Sequence, residues 1–294
     1  MNPSHAKVKS TAQGTTPMPP KHVSDAFGVR GEAVAAGACW DYGWRFGDVV
    51  LSPVVDTAQA AWSAKIRESL AIPGVRVARP LRTTDGRHVL AGWQAREFSP
   101  GAPSPRADET IVTALAFDEA CAQMPRPNFL VDPMRSIFAT CEHAAWVPQS
   151  VEVLGRLLDP QAVPSPDAAE ALQRSGQLLQ LRSPLSGVAA QLVHADIASQ
   201  LLYDGLSTPV LTDITPSWRP AGWTAALAAV DGLAFMGADQ EVLHRFSHVP
   251  NFSELVVRAM CYRLLVHAVH PAAQVSAWRG LARAATVVAA FAER

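Results

Sequence analysis

The sequence predicts an α+β protein of two lobes: a small, mostly-β N-terminal lobe with one helix and a larger helical C-terminal lobe. Three observations lead there. The text from residue 23 to 93 reads as strands with one helix, with apolar and polar residues alternating strongly over 38–46, whereas most of the text after residue 106 repeats at the period of helices. A proline-rich stretch, residues 94–105, separates the two and reads as a hinge. Within the helical part stands an apolar strand that ends in His194-Ala195-Asp196 and continues through a hairpin to Val210-Leu211-Thr212-Asp213.

Composition bounds the function classes. Of 294 residues, 49% are apolar, enough for a sizeable core. The 25 basic residues nearly balance the 26 acidic ones, so no basic field points to nucleic acid. The four cysteines are scattered without a Cys-x-x-Cys pair, which suits reduced thiols in a cytosol rather than a disulfide framework or zinc site. The start of the chain lacks the apolar core of a secretory signal, and no apolar run suffices for a membrane span, so a cytoplasmic location is expected.

Residues 1–22, rich in Ser, Thr, Pro and Lys, read as a flexible tail. Ala38 to Phe46 reads as one strand, with Trp40, Tyr42, Trp44 and Phe46 on one face. Phe46-Gly47-Asp48 turns the chain into a partner strand from Val49. Asp56 caps a helix over 57–70, which Pro73-Gly74 stops. Strands at 75–78 and 88–93 follow, joined through Thr84-Asp85-Gly86. Beyond the hinge the expected helices cover 106–124, part of 133–146, 151–158, 167–181 with Asp167 near its N-cap, 222–237, 253–270 and 271–292.

The two aspartates are 17 positions apart, but the Asp204-Gly205 turn between them brings the ends of a hairpin together, so both would face one cleft. One carboxylate would orient a hydroxyl for attack while the other holds a divalent cation against a phosphate. The alternative is structural: an aspartate after a buried strand caps the next turn, and a histidine in an apolar context is a satisfied core residue.

The His194-x-Asp196 pair and Asp213 resemble the catalytic and metal-binding segments of the aminoglycoside phosphotransferase family, within the protein-kinase-like superfamily. The Trp218-Arg219-Pro220 sequel is similar to that of an actinobacterial group in it. The resemblance covers about residues 25–294. It implies a kinase-like fold in which Asp196, with His194, serves catalysis and Asp213 binds Mg2+. It also implies adenine beside residues 93–98 (Trp93 to Phe98), a glycine turn over the phosphates near Gly37, and a phosphate-contacting lysine on the third strand. Three positions depart from the family. Ser52 stands at the lysine, Gln200 replaces the metal-binding Asn, and the turn at Gly37 carries a single glycine. Substitute cations would have to come from Arg45 or Lys65. Arg219 is expected to pin its loop rather than meet substrate.

Two further patterns fall short of a site. His244 and His248, with Glu241, have helical spacing but no Glu after the first His, so they do not form the His-Glu-x-x-His pattern; His267 and His270 lack acidic neighbours and read as partly exposed. Two readings therefore stay open. One is ATP- and Mg2+-dependent phosphoryl transfer to a small-molecule hydroxyl through Asp196, Asp213 and Gln200. The other is a catalytically inactive pseudokinase-like module, without cofactor, that binds a small molecule or protein partner. Nothing marks an aminoglycoside pocket.

Overall fold

The structure, a computed structural model, describes residues 16–148, 150–155, 157, 165–185 and 187–293. Helix α1 (Lys21–Ala26) leads into short strands: β1 (Val34–Ala35), β2 (Trp44–Phe46) and β3 (Val49–Pro53). Helix α2 (Thr57–Arg67) follows, opened by Asp56, whose carboxylate accepts the Gln59 amide at 2.9 Å. Then come β4 (Arg76–Val77), β5 (Pro80–Leu81), β6 (Val89–Leu90) and β7 (Trp93–Glu97). Helices α3 (Ala107–Ala120), α4 (Ile137–Trp146), α5 (Ser150–Leu154) and α6 (Pro166–Gln180) precede β8 (Ala190–His194). The one-turn α7 (Ile197–Gln200), β9 (Leu201–Leu202), β10 (Val210–Leu211) and β11 (Pro216–Pro220) lead to α8 (Trp223–Phe235). The chain closes with α9 (Glu241–Arg245), α10 (Phe252–Val269) and α11 (Val275–Ala292).

These elements form two compact units. One takes the described residues up to Ser104 together with Asp196–Thr215; the other takes those of Pro105–Ala195 and Pro216–Arg294. The hairpin, expected with the helical lobe, thus groups with the strand-rich one.

In the strand-rich unit an antiparallel sheet runs β1-β2-β3-β7-β5, with β6 also on β7. Val50 lies opposite Arg96 and Ser52 opposite Gln94. Because side chains alternate, the sheet has two different faces. Phe46, Leu51, Trp93 and Ala95 pack with Val23, Phe27 and Val29 on one, while Val50 belongs to a separate cluster with Trp40, Ala78, Leu202 and Val210. The hairpin of β9 and β10 joins through β4, parallel to β10. Gly205 takes φ 54° at its turn, as the Asp-Gly signal implies.

Several boundaries differ from the sequence reading. Helix α1 begins inside the expected tail because Val23 is fully buried; the earlier part of that tail lies outside the described residues. The expected strand from Ala38 is strand only from Trp44: residues 38–40 form a 3-10 turn, and Asp41 and Tyr42 both take φ 54°. That turn breaks the alternation, so Trp40 and Phe46 reach different clusters. Strand β7 consumes the start of the expected hinge, because Trp93 and Ala95 alternate with Gln94 and Arg96. Asp167 lies in the first turn of α6, near its N-cap as expected, and Ser165 is the cap residue. The expected helix at 151–158 is the shorter α5, and residues 156 and 158 lie outside the described residues.

The helical unit is organised on α8 and α10, each buried on nearly every side, as a helix central to a bundle must be. Their shared ion pair, Arg263 with Asp231 at 2.7 and 2.8 Å, is almost solvent-free. A two-stranded ribbon, β8 with β11, sets Leu192 opposite Trp218.

Helix α11 approaches α8 closely at Gly280, where a Cβ would lie 2.0 Å from the Ala234 carbonyl oxygen. In α6 a Cβ on Gly176 would meet nothing within 4 Å. The same substitution should therefore have opposite signs. Gly280→Ala is expected to destabilise by about 2 kcal/mol or more through steric displacement, and Gly176→Ala to stabilise by up to about 1 kcal/mol through helix propensity. Urea unfolding of the two variants checks this; a stabilising Gly280→Ala would refute the close approach.

Candidate functional site

Strand period decides what gathers around Asp213. With Trp93 and Ala95 committed to the apolar face, Gln94 and Arg96 emerge on the face of Ser52. Arg96 is fully buried. Its Nη2 donates to the Asp41 carboxylate at 2.8 Å and the Ser52 hydroxyl at 2.7 Å; its Nη1 donates to the Asp213 carboxylate at 3.2 Å and the Thr212 carbonyl at 3.3 Å. Helix α2 contributes Ser63 and Arg67, four residues apart and so on one helical face. Ser63 donates to Asp213 Oδ1 at 2.6 Å, and Arg67 Nε stands 3.4 Å from the same oxygen. The Ile214 amide also reaches Oδ1 at 2.8 Å, and Gln94 Nε2 reaches Oδ2 at 3.2 Å.

Two guanidinium groups thus face two carboxylates in a buried, charge-balanced quartet. Burial pulls the Arg67 guanidinium down to about 10, while Asp213 acts to raise it. At neutral pH it keeps its charge. Arg67 Nη2, Arg96 Nε and Gln94 Oε1 are buried polar atoms with no hydrogen-bond partner, so the ordering of this cluster carries a desolvation cost.

Asp41, Ser63, Gln200 and Asp213 line one narrow cleft with room for about one water molecule. The donor set does not fit Mg2+. That ion needs oxygen ligands in near-ideal octahedral array. Each Asp213 oxygen already accepts from at least two protein donors, and two cations stand against the carboxylate. Gln200 Oε1 accepts the Thr212 hydroxyl at 2.5 Å. What Asp213 can do in this setting is balance the charge of protein cations.

The remaining sequence-derived residues fall in different places. Asp196 is fully buried at the start of α7 and accepts the Ser199 hydroxyl. His194 ends β8 in the helical unit, where its amide donates to the Thr224 hydroxyl at 2.9 Å and its ring meets Phe117 edge-on at 5.3 Å. Gly37 opens the 3-10 turn and accepts the Trp40 amide at 3.0 Å. The glycine that permits close approach is Gly43, where a Cβ would lie 2.2 Å from the Leu51 carbonyl oxygen. Trp93 lies in the apolar cluster on the other face of the sheet, away from Ser52.

The cation beside Ser52 is Arg96, not either residue expected from the sequence. Arg45 donates to the Gly47 carbonyl at 2.7 Å and covers Phe98 at 3.6 Å; Lys65 is exposed. Arg96, Arg67, Ser63 and Asp41 are the site residues that sequence reasoning missed. Their signals were an i, i+2 polar pair, Gln94 and Arg96, alternating with Trp93 and Ala95 on β7, and an i, i+4 pair on α2.

In the helical unit, Arg219 fills the structural role expected of it. It pairs with buried Glu142 at 3.2 Å, and Glu142 also accepts the Ser217 hydroxyl at 2.7 Å and Trp223 Nε1 at 2.9 Å. His267 and His270 are buried rather than partly exposed, His267 stacked on Trp278 and His270 on Phe138. Among the described residues no cluster of His, Cys, Asp and Glu fits a metal, and no helix is long and apolar enough to cross a membrane.

No family model and no curated protein matches the sequence. Solved structures match its fold. An aminoglycoside phosphotransferase from Alicyclobacillus acidocaldarius subsp. acidocaldarius gives a TM-score of 0.58 at 16% identity over 96% of both chains. A choline/ethanolamine kinase family protein from Mesorhizobium loti gives 0.56 at 15% identity, covering 91% of this chain and 94% of that one. A spectinomycin phosphotransferase in complex with ADP and spectinomycin gives 0.57 at 10% identity, covering 93% and 97%. The chain therefore has the α+β, protein-kinase-like fold of aminoglycoside phosphotransferases and choline kinase-like proteins.

Two expectations follow. Ser52 is fully enclosed, donating to the Trp40 carbonyl at 2.8 Å with Arg96 against its hydroxyl. A lysine there would press a second cation onto Arg96. Ser52→Lys is expected to lower stability by about 2 kcal/mol or more in urea unfolding and to produce no ATP-induced rise in melting temperature. A gain of ATP binding in the stable variant would refute the assignment of Arg96.

The second concerns Asp118, which accepts the Gly222 amide at 2.9 Å and the Thr224 hydroxyl. Burial pushes its carboxyl up to about 7, with those hydrogen bonds acting to lower it. The folded state therefore keeps a proton that the unfolded chain, titrating near about 4, has released. Stability from this group falls as pH rises from about 4 to about 7 and levels above. Asp118→Asn should flatten that part of the melting-temperature profile; an unchanged slope would refute it.

Proposed function

We propose that this chain is a pseudokinase-like binding module, one that does not transfer phosphate through Asp213 and acts by holding a small molecule or protein partner. The observation that carries the reading is the engagement of both Asp213 oxygens by Arg96, Arg67, Ser63, Gln94 and the Ile214 amide. A divalent ion would have to displace two buried cations from the one carboxylate that the family would offer it. Breaking a buried ion pair by removing one partner costs about 3–5 kcal/mol, so metal entry starts from a large deficit. Gln200, tied to Thr212, adds no free ligand oxygen on that side. Ser52 in place of the phosphate-contacting lysine points the same way. The four cysteines are free thiols, three of them buried, which supports a reducing, cytoplasmic setting.

ATP- and Mg2+-dependent phosphoryl transfer to a small-molecule hydroxyl is the competing reading. It is favoured by the retention of Asp196 and Asp213 and by likeness in fold to a phosphotransferase solved with ADP.

Thermal melting separates the two, because a ligand that binds the folded state alone raises the melting temperature. The wild type is expected to show no Mg2+-dependent response to ATP. Asp213→Asn, compared with its own ligand-free baseline, should respond no differently. A Mg2+-ATP shift in the wild type that Asp213→Asn abolishes would sink the binding-module reading.

A further inference from the structure

The turn between β1 and β2 is the one that the resemblance assigns to the phosphates of a nucleotide, yet here it folds inward. Trp40 is 3% exposed and packs against Val50 of β3, Ala78, Leu202 of β9 and Val210 of β10. Its indole lies 5.7 Å from the ring of Phe98, in the segment assigned to adenine, with the Arg96 guanidinium 5.3 Å from its centroid. The Trp40 carbonyl accepts the Ser52 hydroxyl at 2.8 Å. The next residue, Asp41, puts its carboxylate on Arg96 at 2.8 Å, beside the position where the family has its lysine.

Backbone conformation supports a turn held in place by these contacts. Asp41 and Tyr42 both take φ 54°, in the left-handed region that L side chains rarely adopt. Such residues persist where the surroundings over-determine them. Gly43 completes the fit by passing against Leu51 and Ser52 where a Cβ has no room.

A planar ring enclosed by apolar side chains, followed at once by an anion on a buried cation, has the layout of a heterocyclic base and its phosphate. We infer that the Trp40–Asp41 turn is a built-in occupant of the nucleotide cleft, the indole standing where a base would stack and the carboxylate where a phosphate would meet its cation. The inference rests on the binding-module reading and deepens it. A cleft filled by its own turn is closed to nucleotide until the indole leaves it, after which a phosphate competes with Asp41 for Arg96.

Cys39, adjacent to Trp40, reports the turn directly. It is the partly exposed cysteine, the other three being buried, and burial already raises its thiol above the usual range. The experiment measures the rate at which an aromatic disulfide reagent modifies Cys39, and ATP binding by calorimetry in EDTA, with Cys39→Ser as the control for assignment. Wild type is expected to react slowly and bind no ATP. Trp40→Ala, shown by its melting curve to be folded, should react at least about tenfold faster through local opening and acquire ATP binding without metal. Asp41→Asn, which leaves the ring in place, should accelerate Cys39 by a smaller factor and keeps the test valid if Trp40→Ala does not fold. Wild-type ATP binding with an unchanged Cys39 rate overturns the proposal, as does a folded variant in which Cys39 is no faster. Mg2+-dependent ATP turnover by Trp40→Ala, lost when Asp213→Asn is added, would instead overturn the binding-module reading and leave the occupied cleft standing.

Discussion

Much of the strand-rich unit depends on one buried guanidinium. Arg96 joins three parts of the chain that are distant in sequence: Asp41 in the first turn, Ser52 on β3, and Thr212-Asp213 beside β10. A planar fork of donors can serve several acceptors at once, which an ammonium on a flexible stem does less rigidly. The side chain is fully buried, so its charge tolerates the site only because two carboxylates and two further oxygens surround it. The small serine at position 52 is part of the same solution. A lysine there would compete for the space and for the anions, and the hydroxyl instead bridges Arg96 to the Trp40 carbonyl.

This arrangement changes what a retained aspartate means. In an active phosphoryl-transfer site a metal-binding carboxylate keeps lone pairs available for a divalent ion. Asp213 spends both oxygens on protein donors, and its charge is balanced by Arg67 and Arg96. It behaves as the counter-ion of a structural network, and the network connects α2, β7 and the hairpin. Selection for fold stability alone would keep such an aspartate.

Fold and site were legible in the sequence to different degrees, for physical reasons. The Asp56 cap, the Asp204-Gly205 turn and the helices from Trp223 onward each rest on local chemistry, and local chemistry is what a sequence displays. Asp213 was singled out by its place in the hairpin, and it does stand at the centre of the buried network. The partners of Asp213 were not, because Arg96, Ser63 and Gln94 reach it across 117, 150 and 119 positions of chain. Trp93 was placed at the site by its position in the chain, yet alternation along β7 sends it to the opposite face, with Phe46 and Leu51. The aromatic run from Trp40 to Phe46 misled in a similar way. Its period was that of a strand, but two consecutive left-handed residues reset the register; Asp41 is of a type that tolerates φ 54°, whereas Tyr42 is not.

The helical unit uses carboxylates in the same manner, which places the site in a wider pattern. Glu142 gathers Ser217, Arg219 and Trp223 and so fixes β11 and the start of α8; Asp118 gathers Gly222 and Thr224 at that same helix entrance. Thr224 in turn accepts the amide of His194, so Asp118 helps position the strand end that carries the His-x-Asp motif. His194 is thereby anchored by its backbone and by its ring on Phe117, contacts that need neither its acid–base chemistry nor a substrate. Asp196 accepts the Ser199 hydroxyl within its own turn, a local side-chain contact. Each residue that resembles a catalytic one thus has a sufficient structural occupation. A His-x-Asp pair and a carboxylate at position 213 are accounted for here by packing, hydrogen bonding and charge balance within the chain.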